Sequence, residues 1–398
     1  MKPEMPNPKI VIKPLRINNP FMKTYDEVCS LFGIPTSIRQ RIKFLAKESN
    51  QGVRISDRSL DNLAKKGLSE KVITNSVLTI IDEYMAQHPE FAVVDKLSCT
   101  IQPQSIVIDT WRVLFEGLKA AMVVESFDRA SVDSLLQPLM AFIERRWEES
   151  LGMREWAKQH HDLDEKEFRL NITSFFSTFI NKTRLSEEEV NHTMSGMTKY
   201  AQGRENEIST EELYALYLSK QDFTLSLFAT LDLIASNIRN FELGADAAAI
   251  TNDGGFLTEI LRQNSPCYFG RFIELLKRNS GKSYQAMATR IPTAFKGGSS
   301  GRTKQEAQLE RLKEWRKGKA RPSDKSFMAF CLQFKPYDYY PLMILGHICL
   351  SIDKMWSAAN EADRVLIEKM YTPENYLKYW EGEKRRQQQC SRLSHSLR

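Results

Sequence analysis

Four short stretches of the chain carry residue types that could do chemistry. Gly281-Lys282-Ser283 has the closing letters of a phosphate-binding loop, in which backbone N–H groups cradle a phosphate and the lysine neutralises it. That loop also needs a glycine at position 276, where the chain has Leu276, and a strand in front of it. Gly297-x-Ser299-x-Gly301 has the letters of a nucleophile elbow, but an elbow needs an apolar strand feeding a sharp turn, which residues 293–296 do not supply. His160 and His161 stand beside Asp162, Asp164 and Glu165; on a helix, His161 and Glu165 would share a face one turn apart, as a metal pair does, although a solvated charged junction explains the same residues. Tyr337-Asp338-Tyr339-Tyr340 could stack nucleic-acid bases, or pack at a domain seam between Pro336 and Pro341. None of the four assembles a catalytic constellation. The sequence therefore argues against an enzyme, and it calls for no cofactor and no metal.

The bulk numbers narrow the class. With 398 residues the chain is long enough for two or three domains, because single cores stop growing at roughly 250–300 residues. Hydrophobic residues at 42% and charged residues at 27% set it among folded globular proteins rather than disordered ones. No apolar run approaches the roughly 20 residues that a spanning helix needs, and the first 16 residues lack the apolar core of a secretion signal. The expectation is a cytoplasmic protein with no membrane partner. Six scattered cysteines, with no C-x-x-C pair and no histidine at zinc spacing, read as reduced and mostly buried thiols.

Charge is placed unevenly. Residues 271–321 hold fourteen Lys and Arg against four Glu, a local charge of +10 in a chain whose net charge is +6, so the remainder carries −4. A surface that faces phosphates concentrates its cations in this way.

The elements that must hold these cations read as helices almost throughout. Phe168, Ile172, Phe175, Phe176 and Phe179 recur at helical spacing, Ser186 with Glu189 forms a capping box, and Ser209-Thr210-Glu211-Glu212 sets acids in a first turn. Strand signals are limited to short runs at residues 10–12 and 91–94. The expected fold is all-α and multi-domain, with one or two helix-turn-helix-like modules. Its parts are an N-terminal helical unit at 1–95, a helical body at 104–250 for dimerisation or partner binding, and a C-terminal helical domain at 252–398 ending in a basic tail from Lys384. Within the body, long helices are expected at 105–126, 130–150 (with Pro138 inside) and 221–240.

Inside the C-terminal domain the local signals form a succession. An apolar-periodic helix at 269–279 is stopped by Gly281, Ser283 caps a short helix at 284–291, and a loop follows. A helix at 304–317 then sets Leu309, Leu312 and Trp315 inward, Gly318 stops it, and Pro322-Ser323 opens the next. The run Ser283-Tyr-Gln-Ala-Met-Ala288, with Leu312-Lys-Glu-Trp-Arg-Lys-Gly-Lys-Ala-Arg-Pro-Ser323, resembles the Cro/lambda-repressor type of helix-turn-helix domain. The resemblance implies duplex DNA as partner. On it, Ser283 and Gln285 would approach phosphate, while Thr303, Lys304, Gln305 and Gln308 would face base edges. Lys296, Arg302, Arg311, Lys319 and Arg321 would neutralise backbone phosphates. The sequence departs from the family in its turn, where residues 291–304 insert on the order of a dozen residues into a connection of three or four. Either the second helix stays docked with a basic loop inserted, or the groove-reading geometry is lost.

A second candidate lies near the N-terminus, where helix, Gly33 turn and helix succeed one another and Arg39, Arg41 and Lys43 give the second helix a basic face. The reading that gathers these signals is a DNA-binding transcriptional regulator, able to pair as a homodimer as such modules commonly do. Its alternative is a non-catalytic helical scaffold or adaptor of a mobile-element or phage-related system, binding an acidic protein or RNA.

Overall fold

The computed structural model describes residues 129–159, 183–242, 254–292, 303–334 and 339–396. Before them it describes 9–10, 25–31, 56–65 and 68–73, together with isolated positions that include Arg39, Lys43 and Ile180. The chain divides into two compact units, residues 1–19 with 23–136 and residues 20–22 with 137–398.

In the first unit, β1 (Lys9–Ile10) pairs antiparallel with β2 (Leu68–Ser69), Lys9 opposite Ser69. Helices α1 (Tyr25–Leu31), α2 (Asp57–Lys65) and α3 (Glu70–Ile73) accompany them, with Val28 and Leu60 buried. Apart from that two-residue ladder the described residues are helical, so the fold is all-α.

The long helix α4 (Arg129–Gln159) carries Pro138 inside it, and its residues from 137 on belong to the second unit. The second unit continues with α5 (Glu187–Ala201), α6 (Thr210–Glu242), α7 (Gly255–Leu261), α8 (Tyr268–Ser280), α9 (Tyr284–Ala288), α10 (Lys304–Arg316), α11 (Asp324–Cys331), α12 (Tyr339–Ala358), α13 (Glu361–Met370) and α14 (Pro373–Ser396). Its axis is α6, which packs against α5, α12 and α14. The sequence reading separates a first turn at Ser209 from a helix at 221–240; the two are one 33-residue helix, because nothing between them breaks the helical period. A helix buried on nearly all sides is apolar all round, and residues 222–230 and 232–238 of α6 are indeed buried. Several small polar residues interrupt it, and its two buried charged residues, Asp222 and Asp232, are each matched to donors. Asp222 receives Arg146 Nη2 at 2.5 Å. Asp232 accepts the Phe256 and Leu257 amides (3.0 Å each) and the Tyr376 hydroxyl (3.0 Å), so it caps α7 from a neighbouring helix.

The basic stretch from Lys384 continues a helix. Residues 373–396 form the single helix α14, and Glu383 is buried within it because Arg145, on α4, grips its carboxylate through two nitrogens (3.1 and 3.2 Å). Among the described residues no helix is long and apolar enough to cross a membrane.

Candidate nucleic-acid interface

Helices α8 to α11 follow the order that the sequence predicts, and their ends are fixed by the expected residues. Cys267 caps α8 through its sulfur, Gly281 ends it in the left-handed conformation, and Ser283 caps α9 by accepting the Ala286 amide (3.2 Å). Thr303 and Glu306 form a capping box on α10, each side chain accepting the other's backbone amide (3.2 and 2.7 Å). Gly318 turns the chain out of α10 at φ 66°, where a side chain would be strained, and Ser323 caps α11.

These helices close over an aromatic core. Trp315 of α10 meets Phe269 of α8 and Phe330 of α11 edge-on, with ring centroids 6.2 and 5.9 Å apart. Phe327 meets Phe269 and Phe272 at 5.4 and 6.2 Å. Burying rings of this size contributes on the order of 2–3 kcal/mol each, more than a surface ion pair at 0–1 kcal/mol, so the core supplies most of what holds α10 in place. Gly270 lets the two helices approach, since a β-carbon there would stand 2.3 Å from the Arg316 carbonyl oxygen. At the same point the Cys267 thiol, held protonated because burial pushes it up to about 11, donates to the carbonyls of Trp315 and Arg316 (3.5 and 3.4 Å).

Two polar ties then fix α10 against α9, and they answer the question that the long turn raises. Arg316 donates Nε to Glu274 (2.7 Å), Tyr284 donates its hydroxyl to the other oxygen of Glu274 (2.6 Å), and the Arg316 guanidinium lies 3.9 Å from the Tyr284 ring centre. This half-buried triangle joins α8, α9 and α10. Gln308 Nε2 donates to the carbonyls of Thr289 (2.7 Å) and Ile291 (3.0 Å), just beyond α9. The second helix is docked rather than splayed.

Gln308 also corrects the sequence reading, which sets it toward base edges. Only 5% exposed, it is turned inward, where its amide satisfies two backbone carbonyls that have no other donor among the described residues. The remaining expected residues sort by what they touch. Ser283, Gln285, Thr303, Lys304 and Gln305 are exposed, although the Ser283 and Thr303 hydroxyl oxygens already serve their caps. Arg311 is exposed but paired with Glu314 (3.1 Å), and Lys313 likewise with Glu310 (3.5 Å). Arg321 donates to the Asp353 carbonyl and the Ser357 hydroxyl (2.9 Å each), tying the chain after α10 to α12. Lys319 is exposed. Lys296 and Arg302 lie outside the described residues.

Two further cations join the set. Arg290 and Lys317 are exposed, and with Lys304 and Lys319 they have no carboxylate partner among the described residues. Counting charge along the segment could have found them. Arg290 and Lys304 line one shallow cleft of about 390 Å³ together with Pro292 and Gln308, so the ends of α9 and α10 present cations side by side.

At the second candidate, Arg39 pairs with Asp61 (3.1 Å) and Lys43 with Asp57 (2.7 Å), both from α2. Its basic face is therefore matched by acids of the same unit, and Lys43 lowers the Asp57 carboxyl, chiefly through their hydrogen bond. Arg41 lies outside the described residues, as do His160, His161, the 297–301 loop and Tyr337.

No protein-family model matches the chain, and no curated protein or solved structure is significantly similar to it.

Proposed function

We propose that the chain binds duplex DNA through α9, α10 and the turn after α10, acting as a transcriptional regulator of helix-turn-helix type. The observation that carries this reading is the set of unneutralised cations, Arg290, Lys304, Lys317 and Lys319, at both ends of a helix docked on its neighbour by the Arg316–Glu274–Tyr284 triangle. A helix of 13 residues is roughly 20 Å long, against a major groove about 12 Å wide. Cations at its two ends can thus reach the phosphates on either side while its first turn enters the groove. Gln305 occupies that first turn with the donor and acceptor groups that read base edges, while Lys304 beside it reaches a flanking phosphate. The middle of α10 is close to neutral, since Arg311 and Lys313 are matched by Glu314 and Glu310. Sequence-independent attraction therefore resides at the helix ends.

Fluorescence anisotropy of the purified chain with labelled duplex, single-stranded DNA and RNA of one sequence tests the reading. Duplex should bind tightest, with affinity falling steeply from 50 to 200 mM salt. Equal or stronger binding to single strands, or affinity that does not respond to salt, would turn the assignment toward an adaptor.

A further inference from the structure

In the second unit, α4, α6 and α14 enclose a cleft of about 280 Å³, room for roughly nine waters at 30 Å³ each. One wall is apolar, formed by Phe142 and Ala141 of α4 with Leu233 of α6. Beside it the lining is cationic, with Arg145 of α4, its guanidinium 5.4 Å from the Phe142 ring centre, and Arg386 of α14 each about a quarter exposed. The single carboxylate of Glu383 serves both: its Oε1 receives Arg145 Nη2 (3.1 Å) and Arg386 Nη1 (2.7 Å), and its Oε2 receives Arg145 Nη1 (3.2 Å).

Behind this pair, Arg146 is buried against Asp222 and Glu149, and Arg184 donates its backbone amide to Asp222. Four guanidinium groups, those of Arg145, Arg146, Arg184 and Arg386, thus stand against three carboxylates, those of Glu149, Asp222 and Glu383. The nitrogens Nε of Arg145, Arg146 and Arg184 are buried without a hydrogen-bond partner among the described residues. Partial burial pushes the Arg386 guanidinium down to about 10, and crowding by Arg145, Arg184 and Arg146 adds to the effect against the pull of Glu383. Arg146, the buried member, is matched by Asp222 and Glu149, so the unmatched positive charge belongs to Arg145, Arg184 and Arg386, which are partly exposed. Here the surplus borders an open cleft.

We infer that this cleft binds a small organic anion, its carboxylate or phosphate on Arg145 and Arg386 and its apolar part against Phe142 and Leu233. The anion supplies the missing negative charge through charge-assisted hydrogen bonds that a planar guanidinium pair is shaped to give. Its size is bounded by the cleft at about one aromatic ring with its head group. The site draws on helices other than α9 and α10 and holds whether or not those helices bind DNA.

Calorimetry and thermal melting of the full chain with benzoate, phenyl phosphate, inorganic phosphate and neutral benzamide test the site. Benzoate or phenyl phosphate should bind and raise the melting temperature, the better of the two identifying the head group, while benzamide, which has benzoate's shape without its charge, should not. Arg386→Gln should weaken binding about tenfold or more, as loss of a charged hydrogen bond does. Ala141→Leu, which fills the cleft and touches no charge, should abolish it. The inference is overturned if neither aromatic anion binds at millimolar concentration, if benzamide binds equally, if inorganic phosphate alone matches phenyl phosphate, or if both variants bind as the parent does.

Discussion

Replacing Arg290, Lys304, Lys317 and Lys319 together by alanine removes the four cations that lack a carboxylate partner on the candidate interface. Each phosphate neutralised releases counterions and contributes about 0.9 to the slope of log affinity against log salt on duplex DNA. Four contacts should therefore contribute a slope of about 3.6. At 0.15 M salt this corresponds to roughly fivefold per contact and about a thousandfold in all. The parent should lose on the order of 150-fold more affinity than the variant when salt rises from 50 to 200 mM. Exposed positions of this kind change stability by about 0.5 kcal/mol or less each, so melting should move by only a few degrees. Anisotropy titrations of parent and variant at five salt concentrations measure both slopes. Parallel lines would refute the reasoning, because they would mean that these cations do not meet phosphate.

Further expectations concern the framework. Gln308→Ala removes the side-chain donor of the Thr289 and Ile291 carbonyls and should cost about 1–3 kcal/mol in urea unfolding, a solvent-facing glutamine almost nothing. Trp315→Ala opens a cavity among Phe269, Phe330 and their neighbours and should cost about 3–5 kcal/mol by the same assay. Arg316→Ala should weaken duplex binding although Arg316 is not proposed to touch DNA, since it unties α10 from Glu274 and Tyr284; unchanged affinity would contradict its positioning role. Burial raises the Asp232 carboxyl from the usual 3.8 to about 7, outweighing its hydrogen bonds, so the folded chain holds this proton more tightly than the unfolded one. Its contribution to stability is full below about pH 4 and is lost as pH rises through 7, at up to about 1.4 kcal/mol per pH unit. Asp232→Asn should flatten the pH dependence between 4 and 7 relative to the parent, and an identical profile would rule the group out as its source.

The features legible in the sequence are the local ones. Ser186 with Glu189, Ser283, Gly281, Gly318 and Ser323 sit at helix ends where they were expected, because a cap is decided by its own side chain and amides within three residues. Gln308 was not legible. Its direction is set by carbonyls 17 and 19 residues earlier, beyond what the spacing within α10 conveys. The contact of Glu383 with Arg145, 238 residues away, was hidden for the same reason. The arginine cluster around Asp222 and the triangle at Glu274 are likewise assembled by contacts between distant helices, and residue type alone did not announce them. The cation excess of residues 271–321 was legible in sum, but its partition was not. Structure alone separates the cations engaged by carboxylates, Arg278, Arg311, Lys313 and Arg316, from those left open.

The central claim, that α9 and α10 read duplex DNA, is tested most directly by selecting binders of the full chain from a pool of random duplexes at 100 mM salt. The account predicts enrichment of one short sequence, and loss or change of the preferred bases when Lys304 and Gln305 are both replaced by alanine. Recovery of an unenriched pool, or the same preferred sequence from that double variant, would contradict it.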